Sequence, residues 1–303
     1  MERKQLFGSL LLIFVAIIWG TAFVFQRVGM ESIEPITFTA SRMTLAALAV
    51  GIVSICQHKS VKFDDPEKEK ALSRSTIIGG ICCGSFLGCA SIFQQMGIVY
   101  TTAGKAGFIT SLYILLVPII SFVIFRKHYS WVVWVAVLLG VGGMYLLCMT
   151  EQFSLAHGDI LLCICAVLFS GHILCCDYFS GKGDPIRISA IQFIAATVIS
   201  WIAAFIMESP SLEKIATAII PILYCGIVSG GLGYTLQMVA QKYTDPTVAS
   251  LLMSLESVFA VIAGTVILHE QMSTRELLGC IIMFAAIIIV QIPELKSKAG
   301  RSQ

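Results

Sequence analysis

Charge is scarce in this sequence: only 13% of its 303 residues are Asp, Glu, Lys or Arg, while 57% are apolar. Soluble domains carry about 25% charged and about 45–50% apolar residues. A soluble enzyme is therefore excluded, and one polytopic membrane protein fits. The net charge of +2 supplies no basic face, so no nucleic-acid partner is expected. A phosphate-binding Gly-x-x-x-x-Gly-Lys-Ser/Thr loop is missing too, and the connectors are too short for a nucleotide domain, so the chain is not itself an ATPase. His269-Glu270 lacks the second histidine of a His-Glu-x-x-His site, which disfavours an intramembrane metalloprotease. The eleven cysteines are odd in number and lie mostly inside apolar runs, among them Cys82, Cys83, Cys175 and Cys176. They read as small packing residues rather than a disulfide framework. No histidine completes a zinc spacing with Cys163 and Cys165, so neither metal nor cofactor is expected.

What the chain has in abundance is apolar runs. A hydrocarbon core about 30 Å thick takes about 20 helical residues to cross, and ten segments qualify: 6–25, 35–56, 77–100, 103–125, 131–149, 159–179, 188–207, 219–240, 247–268 and 276–292. None shows the strict alternation of a barrel strand, and backbone polar groups in lipid must be satisfied within the segment, so all ten are predicted to be helices. The first is long enough to span and lacks a clear cleavage site, which favours a transmembrane helix over a signal peptide. The only long connector is 57–74. With the amino terminus in the cytoplasm, about fifteen cations fall on the cytoplasmic side and about four on the other, which places both termini inside.

Sliding the chain on itself by about 143 residues aligns the third to fifth segments with the eighth to tenth. Gln94 meets Gln237, Tyr100-Thr101 meets Tyr243-Thr244, and Ser111-Leu112 meets Ser254-Leu255. Such pairs are polar or rare in lipid, so they argue for duplication. With five helices in each half, the second half enters the membrane from the opposite side. That makes an all-α protein of ten transmembrane helices in two inverted five-helix repeats, 1–150 and 151–303, with a substrate site near the midplane between them.

Particular stretches carry a family likeness. Trp19-Gly20-Thr-Ala-Phe23, Arg42, Tyr100-Thr-Thr-Ala-Gly-Lys-Ala-Gly-Phe108 leading into Pro118, Tyr243-Thr-Asp-Pro246, Ser254-Leu-Glu256 and Leu268-His-Glu270 occur in order. Together they resemble the EamA-type branch of the drug/metabolite transporter superfamily over nearly the whole chain. The resemblance implies a metabolite transporter with a central cavity, often for amino acids or related solutes, working by alternating access. In two places the chain departs from the pattern. Ser257 stands where relatives often have a proline, so a bend in the ninth helix does not follow from the resemblance, and Arg126-Lys127 replaces an acidic end.

Polar groups at membrane depth mark the candidate site, because a charge at the bilayer centre costs at least about 2.5–3.5 kcal/mol. Glu256 lies about ten residues, hence about 15 Å, into its helix. It reads as a proton-coupling group or a ligand for a substrate ammonium, against a structural carboxyl paired with a neighbour. Arg42 is equally deep and would bind a carboxylate, pair with Glu256, or tie helices together. Lys105 would capture an anion at the outer mouth or snorkel to water. Gln94 and Gln237 are expected to line the cavity or to join helices, and Gln95 points elsewhere. Trp19 lies too deep for an aromatic belt and would offer a ring face to a cation, or pack. His172 would carry protons or pack, and Tyr113 and Tyr234 would form walls. Pro118 and Gly230, Gly231 and Gly233 would kink or loosen their helices for gating, or permit close packing. The loop from Gly181 to Asp184 is a solvated turn.

The reading that follows is a secondary transporter of a small polar metabolite in the plasma membrane. Its partners would be the solute and the bilayer, with room for proton coupling and for a homodimer. A membrane-embedded enzyme acting on a lipid-linked substrate is the alternative; it would gather its polar groups at one interface.

Overall fold

The computed structural model describes residues 2–58, 66–100, 103–148, 157–268 and 273–299. Regular structure among them is entirely helical, and the helices make ten crossings in two inverted five-helix repeats. Seven are single helices: Glu2–Gly29, Pro35–His58, Pro66–Ile98, Trp131–Cys148, His157–Ser180, Pro185–Met207 and Thr274–Ala299, the first, second, third, fifth, sixth, seventh and tenth crossings. A six-residue helix, Leu212–Thr217, lies between the seventh and eighth.

The other three crossings depart from the continuous helices expected. The fourth is broken into Ala103–Thr110 and Tyr113–Phe125, and the ninth into Pro246–Met253 and Glu256–Leu268. Both breaks fall at the repeated Ser-Leu pair, Ser111-Leu112 and Ser254-Leu255. There the backbone tightens to three-residue hydrogen bonds, Leu112 N to Ile109 O at 3.2 Å and Leu255 N to Leu252 O at 3.3 Å. Serine favours such a break because its hydroxyl competes for backbone partners. Ser254 Oγ donates to Leu251 O and Ser257 Oγ to Ser254 O, both at 2.8 Å, so the ninth crossing bends without the proline that Ser257 replaces. Pro118 lies inside the unbroken helix Tyr113–Phe125, about one and a half turns beyond the interruption. The eighth crossing runs Ile219–Leu223, then a π-helical stretch Tyr224–Tyr234, then Thr235–Gln241.

The two halves interleave. The third crossing packs against the sixth and seventh, the second against the seventh and eighth, the first against the eighth and ninth, and the fifth against the tenth. Side chains as apolar as lipid gain little from burial in a bilayer, so close backbone approach carries the packing. At Gly84 a Cβ would fall 2.4 Å from the Gln192 carbonyl of the seventh crossing, and at Gly80 2.5 Å from Ile191 Cβ. Large apolar side chains such as Ile52, Ile202 and Phe205 stay on the perimeter.

Polar contacts join the ends of the crossings. Glu208 at the end of the seventh accepts from Ile36 N at 2.9 Å and Thr37 N at 2.7 Å, satisfying the free donors at the start of the second. Lys214 donates to Glu34 and holds its carboxyl below the usual range. On the side that carries the amino terminus, Lys127 reaches Asp245 at 3.6 Å and Asp177 at 3.8 Å. Burial works against the Lys127 charge, but Asp245 and Asp177 outweigh it and hold the ammonium above its ordinary range.

Two alanine substitutions separate contact from helix propensity. Gly84→Ala should cost about 1–3 kcal/mol by overpacking against the Gln192 backbone, whereas Gly51→Ala meets nothing within 4 Å and should gain about 0.5–1 kcal/mol. Thermal unfolding in detergent reads both, and equal effects would remove the seam from its structural role.

Candidate functional site

A cavity lies where the interrupted crossings meet the first, second, third, sixth and eighth. Its wall is built from both halves: Trp19, Phe23, Gln26, Arg42, Gln94, Thr110 and Tyr113 from the first, and Phe169, His172, Ile173, Ser229, Tyr234, Gln237 and Glu256 from the second.

Glu256 opens the second piece of the broken ninth crossing, where the helix dipole favours negative charge. Its Oε1 accepts from Tyr113 Oη at 2.9 Å and from Ser111 Oγ at 3.1 Å. Both donors converge on one oxygen, leaving Oε2 with no protein donor among the described residues. Tyr113 and Glu256 stand 143 residues apart, the repeat offset itself, and each begins the helix that follows its Ser-Leu break. The axis relating the two halves therefore passes beside this hydrogen bond.

Arg42 is 2% exposed, and its Nε and Nη2 have no hydrogen-bond partner. No ion pair joins it to Glu256 or to any other carboxylate among the described residues. The guanidinium and the carboxyl group line one cavity without pairing with each other.

Gln94 and Gln237, repeat counterparts, both reach the wall. Gln237 Nε2 donates to Gln241 Oε1 at 3.0 Å, and Gln241 Nε2 in turn to Ile173 O at 3.1 Å; Gln237 Oε1 has no partner. Gln95 is fully buried outside the cavity. Trp19 Nε1 donates to Ser229 O at 3.1 Å, and its ring meets Tyr234 at 4.6 Å between centroids. His172 Nε2 and Gln192 Oε1 are 3.1 Å apart, while the His172 imidazole packs edge-on to Tyr234 and Phe169. Gly230, Gly231 and Gly233 belong to the π-helical stretch. The side chain of Lys105 lies outside the described residues, as do His269 and Glu270.

Six wall residues escaped the sequence reading: Phe23, Gln26, Thr110, Phe169, Ile173 and Ser229. A signal existed for three of them. The single offset of 143 fails for the first two crossings, but laying Glu34-Pro35 on Asp184-Pro185 pairs Trp19 with Phe169, Phe23 with Ile173 and Arg42 with Gln192. Thr110 and Ser229 carry no such mark, because serine and threonine are common helix-packing residues in membranes.

Similarity to known proteins agrees with this architecture. The EamA-like transporter family matches residues 6–149 and again 156–292. An uncharacterized transporter of Archaeoglobus fulgidus is 31% identical over 95% of this chain and 87% of its own length. The uncharacterized transporter YoaV of Bacillus subtilis is 22% identical over 92% and 94%. A chloroplastic WAT1-related protein of Arabidopsis thaliana is 25% identical over 91% and 67%. A solved crystal structure, 17% identical, superposes with a TM-score of 0.75 over 94% of this chain and 96% of that one, which shows the fold. By the match to both halves and by the archaeal relative, the chain belongs to the EamA-like transporter family.

Proposed function

We propose that this membrane transporter is a secondary carrier of a small zwitterionic metabolite, an amino acid or a related solute. It works by alternating access in the plasma membrane, with both termini in the cytoplasm. The observation that carries this reading is a pair of ionisable groups that face one cavity without pairing: among the described residues Arg42 has two unpartnered donors, and Glu256 accepts on Oε1 alone. Each uncompensated charge at this depth costs at least about 2.5–3.5 kcal/mol. A solute bearing a carboxylate and an ammonium offsets both at once, whereas a purely anionic or cationic solute leaves one charge exposed. Trp19, Tyr234 and Phe169 supply apolar wall for its side chain.

The inverted repeat supports alternation, since two interrupted helices meeting at the axis give each half a mobile joint at the same level. Ion pairs at the ends, Lys127 with Asp245 and Asp177 on one side and Lys214 with Glu34 on the other, are the kind of exposed contact worth about 0–1 kcal/mol. Contacts that weak break and reform at little cost. The distribution of cations supports cytoplasmic termini. Proton exchange on Glu256 in competition with the solute ammonium belongs to the same reading. A lipid-linked enzyme fits less well, because Arg42, His172 and Glu256 surround a central cavity instead of gathering at an interface.

Proteoliposomes preloaded with a panel of labelled amino acids and nucleoside-like solutes test the reading. Flux of at least one amino acid above empty vesicles is expected, and flux of none would overturn it. Glu256→Gln should reduce that flux at least tenfold at every pH, on the order of 1.4 kcal/mol or more in solute binding; wild-type rates throughout would remove Glu256 from the site. Arg42→Met is expected to abolish flux while holding or raising the unfolding temperature, since it deletes a buried charge that no described carboxylate balances. An unfolded Arg42→Met protein would instead make Arg42 a structural tie.

A further inference from the structure

Three of the four glycines in the π-helical stretch of the eighth crossing, Gly230, Gly231 and Gly233, look interchangeable in sequence, but their surroundings differ. A Cβ at Gly231 would find its nearest neighbour, Val50 Cγ2, at 3.5 Å, an ordinary contact. At Gly230 it would meet Cys225 O at 3.0 Å and Ala46 Cβ at 3.1 Å, away from the cavity. At Gly233 it would fall 2.7 Å from Trp19 Nε1, with Cδ1 and Cε2 at 3.4 and 3.5 Å. The indole rests directly on Gly233 while its N–H donates to Ser229 O four residues earlier. Helices wound this way recur at functional sites.

An indole displaced from Gly233 has one direction open. Its backbone cannot retreat, because Gly20, the next residue, sits so close to the ninth crossing that a Cβ there would be 2.6 Å from Glu256 O and 2.5 Å from Phe259 Cβ. Nor can the ring slide along the wall past Tyr234, which is itself held edge-on by His172 at 5.6 Å and Phe193 at 6.0 Å. The remaining side is the cavity.

We infer that Gly233 is a positioning residue that seats Trp19 in the cavity wall, and that the Trp19–Gly233 contact sets the size of the largest solute side chain the carrier accepts. The size limit rests on the transport reading above; the seat of the indole does not.

Fluorine NMR of protein containing 5-fluorotryptophan gives four signals, one for each tryptophan, assigned by single Trp→Phe variants. Gly233→Ala should move the Trp19 signal and leave the other three, and Gly231→Ala should move none. In proteoliposomes, Gly233→Ala should raise KM for L-phenylalanine about tenfold or more, the discrimination typical of one misplaced methylene. KM for L-alanine should stay within twofold. Trp19→Phe, which removes Nε1 and shrinks the ring, should restore L-phenylalanine in that background and by itself improve acceptance of L-tryptophan. A Trp19 signal unmoved by Gly233→Ala would overturn the seat. Equal loss for large and small solutes, or no gain from Trp19→Phe in either background, would overturn the size limit and make Gly233 a hinge. Absence of wild-type flux for every solute would sink the transport reading and the size limit with it, while the fluorine spectrum still decides the seat.

Discussion

The hydrogen bond from Tyr113 to Glu256 is the place where the chain meets its own repeat. Two residues in equivalent positions, each the first of a helix that follows a Ser-Leu break, face one another across the axis of the duplication. Symmetry alone would set like against like there, and two carboxylates in contact would repel while two phenols would leave no charge. The folded chain sets a donor against an acceptor instead. The carboxyl group is thereby oriented without an ion pair among the described residues, since the Tyr113 phenol and the Ser111 hydroxyl both hold the same oxygen. The rest of the site follows from that choice: the breaks expose helix starts at the axis, and Arg42 supplies the opposite sign from the second crossing.

Much of this was legible in the sequence because the bilayer enforces it. Twenty-residue apolar runs gave the crossings, and the costliest residues at depth, Arg42, Gln94, Gln237 and Glu256, do face the cavity. The breaks in the fourth and ninth crossings were not foreseen. Ser111-Leu112 and Ser254-Leu255 were visible as a repeat match, but serine sits comfortably inside membrane helices too, so only the backbone reveals that the pair stops one. Pro118 shows the reverse. It is the residue expected to interrupt a helix, yet the interruption stands before it. Whether buried charges pair is likewise invisible to a linear reading. Arg42 and Glu256 have the right signs to join, and the folded chain keeps them apart.

The glycines of the eighth crossing teach a similar lesson at smaller scale. Sequence offers loosening or close packing for Gly230, Gly231 and Gly233, and the structure gives each different surroundings. One faces the second crossing, one has room to spare, and one carries an indole. The chemical meaning of a missing side chain lies in what occupies the space it leaves.

The interleaving of the halves bears on how such a protein is made. The third crossing presents Gly80 and Gly84 to the seventh, and Gly97 to the sixth, so its close-packing faces have no partner until the second half has been synthesised. The first five helices touch one another only in part, and the native core closes only when the later helices join from the opposite side.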